Sequence, residues 1–201
     1  MSSFNIFSIL WIAVAVIIFF LLFFVVAPYG RHIQDGWGPK ISARLGWVLM
    51  ESPCVVLMLV LAMGTWKSLN VVQFIFLSIW LTHYVHRTFI WPYKVNMTGK
   101  EMPLMIAVSA FFFNIINVSL QGYWIFYYAS YALDWLESPA FIIGICIFIA
   151  GLYICAALDG YGMNSMLQLT SNNPRQNCLS RFRIFFEFFF IPFMVSDSSW
   201  K

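Results

Sequence analysis

The sequence predicts an all-α protein, a multi-span helical bundle integral to a membrane, and three observations carry that expectation. The chain is 62% hydrophobic and only 9% charged, whereas soluble domains carry roughly a quarter charged residues. Residues 4–27, FNIFSILWIAVAVIIFFLLFFVVA, run without a charge, long enough for a hydrocarbon core of about 30 Å. The further apolar runs are joined by short loops whose basic residues alternate in number along the chain.

The first run lacks a positive n-region and a small-residue cleavage site, so it reads as a retained helix rather than a signal peptide. The remaining spans are 47–66 with Glu51 and Pro53, 69–93 ending in HYVHRTFIWP, 102–130 with Asn114, Asn117 and Gln121, and 139–158, apolar up to Asp159. That makes about five spans. No internal repeat or linker divides residues 1–160, which read as one transmembrane domain. Residues 161–201 form a divergent polar and aromatic tail. Its TSNNPRQNCLSR stretch is turn-rich, and FRIFFEFFFIPFMV (182–195) is short for a span and broken by Glu187 and Pro192. An interfacial or poorly ordered segment is expected there.

Arg31, Lys40 and Arg44 lie in loop one, Lys94 and Lys100 in loop three, and Arg175, Arg181, Arg183 and Lys201 in the tail. Loop two holds only Lys67, and loop four, SYALDWLESP, carries Asp134 and Glu137 without a base. The positive-inside bias puts loops one and three and the tail in the cytosol and the N-terminus in the lumen or exterior. The sequon Asn96-Met97-Thr98 then falls on the cytosolic side and is expected to stay unmodified. A net charge of +3 without a basic tract argues against a nucleic-acid partner. Cys54, Cys146, Cys155 and Cys178 show no metal-ligand spacing and read as small hydrophobes.

Charged groups at bilayer depth cost at least about 2.5–3.5 kcal/mol each on insertion scales, so each needs a partner or a wet cavity. Residues three, four and seven apart share a helix face. That spacing aligns Tyr84, Arg87, Thr88 and Trp91, with His83 and His86 adjoining, and gives Asn114, Asn117 and Gln121 as an amide stripe. Arg87 snorkelling to phosphates and amides acting as interhelical glue are the plain alternatives. Glu51 has no base at i±3 or i±4, so it either pairs with a distant Arg or His or holds its proton and donates a hydrogen bond. Together these groups predict a polar pocket in an aromatic bundle, open toward the cytosol and suited to an apolar ligand with one or two polar handles. HYVH offers only an i, i+3 pair, so no metal is expected. No GxGxxG or Walker motif occurs, so any nucleotide is held by another kind of site.

W-x-x-x-E-x-P (Trp47, Glu51, Pro53), HYVHRTFIWP, TGKEMPL (98–104), NVSLQGY (117–123) and LDWLESPAFIIG (133–144) together resemble, in order and spacing, the steroid 5-alpha-reductases, over roughly residues 29–155. The resemblance implies an NADPH-dependent enzyme of the endoplasmic reticulum membrane that reduces the C4–C5 double bond of a 3-oxo-Δ4-steroid. It implies that Glu51 binds the 3-keto oxygen, with Trp47, His86 and Arg87 beside the substrate and Asn117, Gln121 and Asp159 on the cofactor side. Trp91 stands where the resemblance implies a catalytic tyrosine, and its indole N–H can donate without being a phenolic acid.

The family's N-x-x-S-D signature stands here as CAALD, with Cys155 for the asparagine and Asp159 retained, and Met163 and Met166 replace arginines. Seven spans are the family's rule, and after residue 170 the closing helices have no counterpart, as in a chain truncated or read from a different exon. A second reading follows from those departures: an inactive membrane protein that binds sterol or a full-length paralogue. A proton or ion carrier using His83, His86 and Glu51 fits poorly, because the polar groups crowd toward one side.

Overall fold

The computed structural model of the protein describes residues 3–24 and 38–160, with side chains of the last helix described to residue 153. The expectations placed on the 161–201 tail lie outside the described residues. The helices are α1 (Ser3–Phe24), α2 (Ala43–Gly64), α3 (Val71–Val85), α4 (Trp91–Lys94), α5 (Leu104–Tyr123) and α6 (Pro139–Gly160). A π turn, His86–Ile90, joins α3 to α4, and a second, Trp124–Tyr128, prolongs α5. Two short strands, β1 (Lys40–Ser42) and β2 (Glu101–Pro103), precede α2 and α5.

Among the described residues, the five apolar runs are therefore helical. By length and composition, α2 and the Leu104–Tyr128 stretch suffice to cross a membrane, and the apolar part of α6, Pro139–Tyr153, is shorter. Val56, Val60, Met63, Phe74, Phe112, Ile142 and Ile143 are exposed on the outside of the bundle, as a lipid-facing surface requires.

The core sits between α2, α3 and the α5 stretch, where Cys54, Met58, Val72, Phe76, Trp80, Val118 and Ile125 are buried together. α2 and α5 run parallel: Asn114 meets Met50, and further along Gly122 meets Leu61. A Cβ on Gly122 would fall 2.6 Å from Leu61 Cδ1 and 3.4 Å from Met58 Sδ, so glycine permits the close approach. The ribbon pairs antiparallel, Lys40 opposite Pro103 and Ser42 opposite Glu101, and it joins the segments that lead into α2 and α5 at one end of the bundle. Neither strand was foreseen, since three residues, KIS or EMP, show no period-two pattern to read.

α2 is tied to its neighbours through its own carbonyls. Pro53 has no N–H for the carbonyl of Leu49, and Ser52 Oγ donates to that oxygen at 2.9 Å. One residue on, Asn114 Nδ2 donates to Met50 O at 2.6 Å. Thr88 Oγ1 donates to Glu51 O at 3.4 Å and Trp80 Nε1 to Cys54 O at 2.8 Å. Asn70 opens α3 with a reciprocal capping box to Gln73, whose buried side chain also donates to Ile125 O at 2.8 Å. That arrangement satisfies helix-end donors and docks the end of α5 together.

Candidate active site

The site is built where α2 faces the α3–α4 junction. Pro92 cannot donate, and its ring crowds the turn before it. The helix answers with a π turn, in which Trp91 N–H reaches back to His86 O. In that register the next donor in line, to Arg87 O, would be residue 92, a proline. Trp47 Nε1 supplies the bond instead, at 3.1 Å. The same indole lies under the Arg87 guanidinium, 5.0 Å from ring centroid to Cζ, a cation–π contact.

Arg87 then reaches Glu51, with Nε and Nη2 at 2.8 and 2.7 Å, both donating to Oε1. The side chains are 11% and 6% exposed, so this pair is buried rather than a solvated surface bridge. The structure thus decides the choice the sequence left open: Glu51 is paired with a distant cation. Oε2 lies outside the pair, on a residue that lines the adjoining cavity.

That cavity holds about 370 Å³ and is lined by Trp47, Met50, Glu51, Tyr84 and Arg87 on one side and by the α5 face of Ile106, Ala110, Phe113, Asn114 and Asn117 on the other. Ile18 of α1, Met102 of β2 and Ser109 complete it. Its volume falls in the range of small-molecule sites, and its walls are mostly apolar with a few convergent polar groups, as such sites are. Arg87 and Glu51 are the charged groups on its lining.

The residues singled out from the sequence divide into those that face this cavity and those that do not. Trp47, Glu51, Arg87 and Asn117 line it. His86 is half-buried and outside the lining; Gln121 continues the amide stripe one turn further and is also outside it. Asp159 belongs to α6 by its backbone, and its side chain lies outside the described residues. Trp91 is half-buried and packed at a tilt against Trp47, with centroids 4.4 Å apart, and it too is outside the lining. The extra residue of the π turn rotates everything after it by about 100°, so the i+7 spacing that put Trp91 on the face of Tyr84 does not hold.

Tyr84 takes that place on the cavity wall. It is 4% exposed, packed against Trp80 with centroids 4.6 Å apart and planes tilted by 31°, and edge-on to His83 at 4.9 Å. The spacing had put it on the Arg87 face, but nothing local marked its hydroxyl as the phenol of the site. Asn114, of the predicted amide stripe, lines the cavity as well, and its amide donates to the Met50 carbonyl. Among the described residues no group of three or more His, Cys, Asp or Glu could hold a metal ion.

Fold and site define a mostly helical protein, two of whose helices are long and apolar enough to cross a membrane, with a half-enclosed apolar cleft and a buried acid–guanidinium pair. A family model described as 3-oxo-5-alpha-steroid 4-dehydrogenase matches residues 100–195, a stretch that contains the NVSLQGY and LDWLESPAFIIG motifs. The chain is 38% identical over 148 residues to "Steroid 5-alpha-reductase DET2" of Arabidopsis thaliana, covering 69% of this chain and 55% of that protein. It is 33% identical over 146 residues to "3-oxo-5-alpha-steroid 4-dehydrogenase 1" of Bos taurus, 71% of this chain and 56% of that protein. The human protein of the same name is 33% identical over 128 residues, 63% and 49% of the two lengths. The chain belongs to the steroid 5-alpha-reductase family, and it spans about half the length of the curated relatives it matches.

Proposed function

We propose that this chain reduces the C4–C5 double bond of a 3-oxo-Δ4-steroid with NADPH, in the endoplasmic reticulum membrane. The observation that carries the reading is the convergence of Glu51, Arg87 and Tyr84 on one apolar cleft. A steroid enone is a rigid apolar body with a ketone oxygen to anchor, and the cleft sets a few polar groups in mostly apolar walls.

Reduction places a hydride on C5 and a proton on C4, and negative charge builds on the C3 oxygen as the hydride arrives. Glu51, while paired, accepts rather than donates. The cleft-lining donors assigned to the ketone are the Tyr84 phenol and the guanidinium of Arg87, which Glu51 holds in place. The pair is neutral overall, which keeps the cleft open to an uncharged ligand, and the low-dielectric surroundings strengthen a positioned donor's hold on developing charge.

NADPH supplies the hydride when bound. The described residues fit the ring end of that cofactor: Asn117, 9% exposed on the cavity wall, presents an amide that would hold the nicotinamide carboxamide. Its diphosphate calls for cations, and the one cation on the described lining, Arg87, is committed to Glu51. Gln121 and Asp159 complete the expected cofactor set, in a domain of residues 1–160 whose five apolar helices all cross the bilayer, with a lumenal N-terminus and a cytosolic C-terminus.

Microsomes containing the chain should convert a radiolabelled 3-oxo-Δ4-steroid to its 5α-reduced product only when NADPH is added, and Glu51→Gln should abolish the conversion. Equal turnover by wild type and variant removes Glu51 from the chemistry. Labelled steroid that binds without any NADPH-dependent product replaces the reductase reading with a sterol-binding one.

A further inference from the structure

We infer that Trp91 is a positioning residue, which holds the Glu51–Arg87 pair in its single-oxygen geometry through Trp47. This deepens the reading of the cleft as a ketone site and rests on it for its chemical meaning.

Three contacts connect the two ends. Trp91 packs on Trp47 with centroids 4.4 Å apart and planes tilted by 40°. Trp47 carries the Arg87 guanidinium on its ring at 5.0 Å and bonds the Arg87 carbonyl at 3.1 Å. Arg87 places its Nε and Nη2 on Glu51 Oε1. Trp47 thus grips Arg87 by backbone and by side chain, and Trp91 is the surface against which Trp47 rests.

Trp91 is itself fixed. It opens α4, next to a proline that sets the backbone, and Arg44 Nε donates to Pro92 O at 3.1 Å while its guanidinium covers the Tyr93 ring at 5.1 Å. A large flat ring is needed at 91 because the π turn leaves Trp47 as the donor to Arg87 O; a smaller side chain would free the indole to tilt and take Arg87 with it. An aromatic ring of another kind would still support it.

The state of the pair can be read without turnover. A carbodiimide such as dicyclohexylcarbodiimide adds to protonated carboxyls in apolar surroundings, so a carboxylate held by Arg87 reacts slowly and a released one reacts fast. Purified full-length chain in detergent would be treated with the reagent and modification at Glu51 quantified by peptide mass spectrometry, with Arg87→Gln as the unpaired reference. Trp91→Ala should raise the Glu51 rate at least three-fold toward that reference, and Trp91→Phe should stay within a factor of two of wild type. Cys54, fully buried, should remain closed to maleimide in both. Three outcomes overturn the inference: a wild-type rate in Trp91→Ala, Trp91→Phe reacting as fast as Trp91→Ala, or Cys54 opening together with Glu51. If the labelling comes out as expected while no steroid is reduced, the reductase reading fails and the positioning role stands.

Discussion

Replacing Arg87 with leucine tests how much the fold depends on the charge pair. The substitution removes two charge-assisted hydrogen bonds, at 2.8 and 2.7 Å, and leaves Glu51 in a site where it is 4% exposed. Removing one partner of a buried pair costs about 3–5 kcal/mol, because the remaining charge loses its compensation, whereas replacing both by apolar groups is often nearly neutral. For a chain of this size each kcal/mol is worth about 2–4 °C, so Arg87→Leu should melt about 6–20 °C below wild type. The Glu51→Leu, Arg87→Leu double variant should recover most of that, to within about 2 kcal/mol of wild type. Scanning fluorimetry on tryptophan emission, run on detergent-purified protein at one heating rate, makes the comparison. A single variant melting within 2 °C of wild type, or a double variant melting below the single, would refute the account of the pair.

Tyr84→Phe deletes a buried phenol on the cavity wall with little change in packing; it should lower steroid turnover by about 10²–10³-fold, the usual worth of one positioned donor, while labelled steroid still binds, and unchanged turnover would take Tyr84 out of the donor set. Gly122→Val pushes side-chain atoms into Leu61 and Met58 and should cost about 1–3 kcal/mol, seen as a lower melting temperature; an unshifted melt would mean α2 and α5 pack less closely than described. Asn96, exposed in the turn before β2, should carry no glycan when the chain is made in microsomes, and an endoglycosidase-sensitive mass shift at that residue would invert the orientation.

The helices were readable from the sequence because apolar runs of twenty residues leave the chain little choice in lipid. Glu51 was readable as a site residue for the same reason: an acid in such a run demands an explanation. What could not be read were the features set by contacts between distant segments. The partner of Glu51 lies 36 residues away, and no local spacing identifies it. The π turn follows from Pro92 in hindsight, but a proline in a helix can also kink or end it, and only the outcome decides whether Trp91 or Tyr84 faces the cleft. The β1–β2 ribbon was invisible for a simpler reason: three-residue strands owe their pairing to the helices that bring them together.

That ribbon also sets a length standard for the molecule. β1 runs directly into α2 and β2 directly into α5, so the two parallel rods leave a common starting block and cannot slide past each other without breaking Ile41 from Met102. A slip of one residue would shift their relative height by about 3.3 Å and turn each strand's side chains to the opposite face. The level at which an acid on one rod meets an amide on the other is therefore fixed where the rods begin, by six residues of which Met102 alone reaches the cavity wall.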